Sequence, residues 1–235
     1  MKLKYLVKID NPASHIAQVT INTDWASDIM TFSLPVWSPG SYMVREYSRH
    51  VRSFRAQTEN GEDLYFQQTL KNQWQVSKNH LPQKKNSKTL NITYEIYLHE
   101  ISVRTSFIDN SHAFLHGPSY LMAVEVANIK NIEIEFRFPP VWSKISTALK
   151  DISAQKEKFI YSAENYDELL DCPVEIGCHE TDGFLVPKIP HELAFYGKNF
   201  PHTWNVKKDM QTIVETVSAF MGGLSHDLYD RYVFI

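Results

Sequence analysis

Histidine and glutamate stand side by side three times in this chain, and that dipeptide opens a zinc-hydrolase motif. The pairs are His99-Glu100, His179-Glu180 and His191-Glu192. The full motif, HExxH, requires a helix: i, i+4 spacing sets both imidazoles on one face, with the glutamate beside the metal-bound water. The positions where the second histidine would fall hold Val103, Gly183 and Phe195, so no pair completes it. His112 and His116 do have the i, i+4 spacing. However, His112, Phe114 and His116 alternate as on a strand, and Gly117-Pro118 follows at once, so they read as polar strand residues. Cys172, Cys178 and His179 offer two thiols and an imidazole, but not at zinc-knuckle spacing and without a fourth ligand. Small, buried, reduced cysteines are the expectation. Ser225-His226-Asp227 spells a triad in letters only, because triad groups come together from different elements and adjacent side chains diverge. Glu133 and Glu135 share a strand face and alternate with apolar partners, which reads as a solvated face. There is no GxSxG elbow, Walker loop or GxGxxG. The sequence therefore assigns no catalytic residue and no metal ligand.

One segment concentrates recognition chemistry instead. Between Leu34 and Tyr47, Ser38-Pro39-Gly40 favours a tight turn with glycine at positive φ, flanked by Trp37, Tyr42 and Tyr47 and by the pair Arg45-Glu46. It reads as a sheet corner stapled by aromatics, or as a loop offering aromatic, cationic and anionic groups to a peptide terminus. Asn110 to Leu121, with His116-Gly117-Pro118, is a second such turn.

The elements that must position these turns are mostly strands. Leu90, Ile92, Tyr94, Ile96 and Leu98 alternate with polar residues, as do Ile132, Ile134, Phe136 and Phe138. Tyr5 to Ile9, Ile16 to Ile21, Ile29 to Val36, Leu64 to Gln67 and Trp74 to Val76 carry the same period more weakly, and Asn60-Gly61 signals a hairpin. With no long helical pattern between them, they predict antiparallel sheets in a sandwich-like arrangement. The texture changes near residue 165. Tyr166 to Leu170 reads as one helical turn and Leu193 to Tyr196 as a strand. Val206, Met210, Ile213, Val214, Val217, Phe220 and Met221 mark an amphipathic helix that Gly222-Gly223 ends. Pro173, Gly177, Gly183 and Pro187 punctuate a linker-like passage, so the expected division is a β-rich unit at 1–168 and, at 169–235, a linker followed by a small α+β strand-helix-strand fragment. The apolar finish Tyr232-Val233-Phe234-Ile235 predicts a parent that continues.

Composition excludes other classes. The 235 residues are 43% hydrophobic and 22% charged, with net charge −3 and no like-charge block, so no nucleic-acid footprint exists. Lys84 and Lys85 sit in a polar stretch that reads as a solvated loop. The apolar run at Tyr5-Leu6-Val7 is too short for a signal peptide, and no segment reaches bilayer-spanning length. With only two cysteines, the expectation is a cytoplasmic chain without membrane partners. The sequon Asn91-Ile92-Thr93 lies inside a strand pattern and is discounted.

Three blocks carry a family resemblance. Leu34 to Tyr47 resembles the signature of the N-terminal domain of the glycyl aminopeptidase family of zinc metallopeptidases. Phe114-Leu115-His116-Gly117-Pro118-Ser119-Tyr120-Leu121 resembles a second block of that domain. The segment from Tyr166 to Gly177 resembles the passage into the catalytic domain. The resemblance implies a β-rich front domain shaped like that of aminopeptidase N. A thermolysin-like, gluzincin catalytic domain follows, and commonly a PDZ domain. The zinc would belong to that catalytic domain, whose HExxH, downstream glutamate ligand and glycine-rich stretch are not in this chain. Val206 to Ile235 resembles only its opening helix and strand. His202-Thr203-Trp204-Asn205 matches the tail of the zinc motif by chance, since Lys198 and Asn199 stand where His and Glu are required. Glu62 to Gln67, similar to an engineered protease site, fits a native strand.

The expectation is thus a non-catalytic module that shapes a cleft for peptides with a free N-terminus, partnered by its own downstream catalytic domain. The alternative is a stand-alone β-sandwich binding carbohydrate or a protein. The candidates for substrate contact are Tyr42, Arg45, Glu46, His116 and Tyr120. Arg45 would pair with a carboxylate, Glu46 would hold an α-ammonium group, and the aromatics would pack on a small side chain.

Overall fold

A computed structural model describes residues 1–38, 40–78, 87–155, 158–197, 205–223 and 229–235. Ser225-His226-Asp227, His202-Thr203-Trp204 and the Lys84-Lys85 pair lie outside the described residues. The first strands are β1 (Leu3–Lys8), β2 (Ile16–Asp24), β3 (Ile29–Ser33), β4 (Val51–Thr58), β5 (Phe66–Leu70), β6 (Gln73–Ser77) and β7 (Thr89–Tyr97). Then come β8 (Phe107–Ile108), β9 (His112–Leu115), β10 (Ala123–Val124), β11 (Ile132–Arg137), β12 (Lys144–Thr147), β13 (Lys150–Asp151) and β14 (Phe159–Ala163). Helix α1 (Tyr166–Asp171) leads to β15 (Val174–Gly177), β16 (Glu180–Val186) and β17 (Ile189–Phe195), and α2 (Val206–Phe220) precedes β18 (Tyr232–Phe234).

A seven-stranded sheet runs β13-β14-β11-β1-β2-β7-β4, and a four-stranded one runs β10-β3-β6-β5. Alternation decides which face is buried. Leu90, Ile92, Tyr94 and Ile96 of β7, Leu3, Tyr5 and Val7 of β1, and Ile132, Ile134 and Phe136 of β11 all turn into one core. Met30, Phe32, Trp74 and Val76 of the smaller sheet join the same cluster, with Phe54 of β4 stacked on Trp74 at 5.4 Å. On the outer face, Glu133 pairs with Lys4 across the strands, and Glu135 pairs with Arg137 at 2.7 Å, as a solvated face would. The mainly β architecture matches the sequence reading. Two pairings depart from the antiparallel rule, with β1 parallel to β11 and β17 parallel to β18. Several strand ends also moved: β3 stops at Ser33 and β5 begins at Phe66.

A second four-stranded sheet, β12-β15-β9-β8, carries His112, while His116, read from the sequence as a strand residue too, falls just past β9 at the entry to the 3-10 turn; a three-stranded sheet, β16-β17-β18, carries α2. Here Phe184, Val186 and Leu193 form a separate small cluster with Met210, Val214 and Phe234. Gly222 and Gly223, at φ +90° and +105°, stop α2, and Gly223 N–H reaches back to Ser218 O at 2.7 Å.

The middle of the main core holds backbone that belongs to no strand or helix. After the 3-10 turn Gly117–Ser119, Tyr120, Leu121 and Met122 are buried without regular structure. Each buried polar group there needs a partner. The N–H groups of Tyr120 and Leu121 donate to Gly117 O, and Met122 N–H donates to Tyr94 Oη at 3.0 Å. The carbonyls are taken by three tyrosines. Tyr94 Oη donates to Tyr120 O at 2.6 Å, Tyr166 Oη to Leu121 O at 2.7 Å, and Tyr5 Oη to Met122 O at 2.7 Å. Burial pushes the pKa of all three hydroxyls above the ordinary tyrosine range, so they stay protonated donors. Gly117 is the entry to this segment: a Cβ there would lie 2.7 Å from Leu170 Cα of α1.

Tyr94→Phe removes a donor and an acceptor from a buried segment at once. It should lower unfolding stability by about 1–3 kcal/mol, read from urea denaturation. Tyr97→Phe, on the exposed end of the same strand, should change it by less than about 0.5 kcal/mol.

Candidate functional site

The two turns singled out in the sequence meet. Beyond β3, Ser41 N–H donates to Ser38 O at 3.0 Å, Gly40 takes φ +75°, and Arg45 N–H returns to Val36 O at 2.7 Å. The loop is thereby closed on itself. Glu46 sits in the left-handed region at φ +51°, unusual for a residue with a side chain, and turns the chain inward so that Tyr47 is buried. Tyr47 Oη donates to Arg104 O at 2.6 Å and lies 3.1 Å from Ser38 Oγ. Ser38 Oγ lies 2.8 Å from His116 Nε2, which joins the first turn to the second. His116 is itself seated by Ser106 and Ser119: Ser106 Oγ accepts from His116 N–H at 2.8 Å, and Ser119 Oγ donates to His116 O at 2.8 Å.

The five candidates divide in depth. Tyr42 is fully exposed at the loop tip, beside exposed Met43 and Val44. Arg45 is half-buried, and its Nε is buried without a hydrogen-bond partner. Glu46 is half-buried, with Lys71 Nζ 3.9 Å away. His116 lies under the loop. Tyr120, 1% exposed, is a core side chain whose carbonyl anchors Tyr94. The loop and His116 are brought together, and Tyr120 supports them from the core. Sequence reasoning missed Arg104, which donates to Gly40 O at 3.4 Å. Its segment carries no motif, and the contact joins residues 64 positions apart in the chain.

Electrostatics around His116 follow from this packing. Burial first, then the positive charges of Arg104 and Arg45, hold its pKa down to about 4. Neutral His116 is therefore the form at neutral pH.

His112, at the start of β9, points to a different partner. Its Nδ1 lies 2.7 Å from Glu175 Oε1, a carboxylate 2% exposed whose pKa burial raises. The His112 ring stacks on Tyr196 at 3.5 Å, and Tyr196 Oη donates to Ser111 Oγ at 2.6 Å, which ties the β17 end to β9. Nearby, Ser146 Oγ lies 2.8 Å from His179 Nε2 and donates to Glu192, which also accepts from Arg231 at 2.7 Å. An open cleft of ≈ 560 Å³ lies over Ser146, Tyr161 and Glu192. Cys172 is half-buried, and burial pushes its thiol up to about 12. Cys178 is exposed, contrary to the buried thiol expected, because it follows the last residue of β15. Among the described residues no group of three His, Cys, Asp or Glu side chains could hold a metal ion.

Because the folded His116 binds its proton more weakly than an unfolded one, the unfolded state takes up more protons between its ordinary value of 6.5 and about 4. This histidine's contribution to stability is present above that window and is lost as the pH falls through it. In a ¹⁵N-edited NMR titration, the His116 ring signals should stay at their neutral positions until about pH 4. A midpoint near 6.5 would contradict the burial and the two-arginine environment.

The comparisons with known proteins agree with this architecture. The profile of the peptidase M61 N-terminal domain matches residues 4–178. An aminopeptidase N family protein from Idiomarina loihiensis superposes with TM-score 0.88 at 26% identity, over 99% of this chain and 38% of its own. The M1 zinc metallopeptidase from Deinococcus radiodurans superposes with TM-score 0.57 at 8% identity, over 99% of this chain and 55% of its own, a likeness of fold. This chain thus spans well under two thirds of either protein. No curated protein sequence matches it. The match covers most of the chain, including both meeting turns, and the chain therefore belongs to the peptidase M61 N-terminal domain family.

Proposed function

We propose that this chain is the non-catalytic front part of a longer, zinc-dependent aminopeptidase-like protein, where it lines one side of a cleft for peptides with a free N-terminus. The observation that carries the reading is the junction of the two turns through Ser38 and His116, which sets Tyr42, Arg45, Glu46 and His116 around one loop. Arg45 serves to pair with a carboxylate, Glu46 to hold the peptide's α-ammonium group, and Tyr42 to pack on a small side chain, with Tyr120 supporting the site from the core. The family match and the share of each neighbour that the chain spans support a longer parent. They favour it over a free-standing carbohydrate or protein binder.

The side chains described do not fit zinc. His116 Nε2 is engaged by Ser38 and His112 Nδ1 by Glu175, so the two imidazoles face different partners, His112 on β9 and His116 just past its end. The zinc of this proposal belongs to a downstream catalytic domain, the chain's first partner, with a PDZ domain as a further one. Two separate hydrophobic clusters support the division into a β-rich unit and a short α+β unit, and the buried strand β15 favours a border near Gly177. None of the described helices is long and apolar enough to cross a membrane; the cytoplasmic site of action belongs to the proposal.

Zinc content and glycyl-peptide hydrolysis, measured on this chain and on the full reading frame side by side, test the proposal. Both are expected in the longer protein only. Hydrolysis by this chain alone would place an active site within it, and neither property in either protein would favour the binding module. In the longer protein, Glu46→Ala should raise KM for glycyl peptides about tenfold with kcat little changed, as expected for loss of a charge-assisted contact made equally in the ground and transition states.

A further inference from the structure

The loop cluster holds two positive charges that have no partner acid among the described residues. Among the described residues, the arginine–carboxylate pairs are Arg49 with Glu100, Arg55 with Asp63, Arg137 with Glu135 and Arg231 with Glu192. Arg52, Arg45 and Arg104 have none; Arg52 is exposed, and the other two lie in the loop cluster. Both are half-buried, and both charges act on the same imidazole, that of His116. Arg104 spends one N–H on Gly40 O at 3.4 Å, and Arg45 leaves its buried Nε unused. Glu46, the acid next to Arg45 in sequence, lies 3.9 Å from Lys71 instead. Taking a guanidinium partly out of water without an acid is costly, and two converging on one point costs more.

The hydroxyl network beside them is built. Ser38 is 3% exposed, and its Oγ is fixed between Tyr47 Oη and His116 Nε2. Tyr42 and Met43 are exposed on the loop that carries Arg45, and Ile101 and Val103, 84% and 80% exposed, on the loop that carries Arg104. Isolated exposed apolar residues are ordinary; here they stand on two loops that Arg104 ties together.

We infer that Arg45 and Arg104, held beside the Ser38–His116 pair, form a binding site for the carboxylate of a peptide whose apolar side chains are received by Tyr42, Met43, Ile101 and Val103. The guanidinium forks supply the paired N–H donors that a carboxylate accepts. These apolar residues select a peptide over a small hydrated anion, which would leave them in water. The inference deepens the peptide-cleft reading of the same loop. Its test uses this chain without a catalytic domain, so failure of the site and failure of the peptidase assignment are read separately.

The experiment follows the arginine Nε–Hε NMR signals of the chain during titration with acetyl-Leu-Glu-amide, acetyl-Leu-Gln-amide and inorganic phosphate. The glutamate peptide should move the Arg45 and Arg104 signals and bind at least about tenfold more tightly than the other two, the scale of one charge-assisted hydrogen bond. Arg104→Met should weaken its binding about tenfold or more. Arg104→Lys keeps the charge without the fork and should fall between them, which separates loss of the site from loss of the fold. The inference is overturned if the glutamate and glutamine peptides bind alike or neither binds, if phosphate matches the glutamate peptide, or if Arg104→Met leaves affinity unchanged.

Discussion

The fold depends on keeping irregular backbone alive inside a hydrophobic core. The Tyr120-Leu121-Met122 segment lies between sheets and contributes no ladder of its own, so its carbonyls have no strand to bond. Three tyrosine hydroxyls from β1, β7 and α1 take them, and one of these also accepts Met122 N–H. An unmet buried carbonyl or amide costs about 1–3 kcal/mol, so the arrangement holds only if all three elements are in register together. The tyrosines thus do two jobs. Their rings fill the core and their hydroxyls pin a segment that would otherwise have to remain in water.

The candidate site inherits its position from that segment. Gly117 presses against the backbone of α1, where any side chain would collide with Leu170. This sets the height of the turn that begins at His116. From there Ser38 and Tyr47 are reached by hydrogen bonds, and the loop from Val36 to Tyr47 is held by its contact with His116 and Arg104. The exposed tip can be apolar and lack regular structure because its base is anchored on all sides. Burial and the two arginines keep His116 neutral, which lets it share a hydrogen bond with a serine without adding a third positive charge.

The β16-β17-β18 sheet and α2 have a modest apolar cluster of their own, and polar and aromatic contacts join this region to the rest: Tyr196 stacked on His112, and Ser146 shared by His179 and Glu192. On α2, Met210 and Val214 pack on the small cluster, while Ile213, Val217, Phe220 and Met221 remain exposed. The amphipathic stripe read from the sequence is wider than the surface that covers it within this chain.

The sequence by itself determined the strands with long, strict alternation, the two helices and the two turns rich in recognition groups. Those signals are local, since period two and period three to four follow from backbone geometry alone. It also carried the family resemblance, which rests on short blocks. Strands such as β15, buried on both faces and bounded by Pro173 and Gly177, carry no alternation and were missed. The parallel pairing of β1 with β11, the meeting of Ser38 with His116, the approach of Arg104 and the burial of Tyr120 were decided only by tertiary structure. The physical reason is distance along the chain. Which residues share a site depends on which strands become neighbours, and that follows from burying one continuous core rather than from any pattern within a single segment.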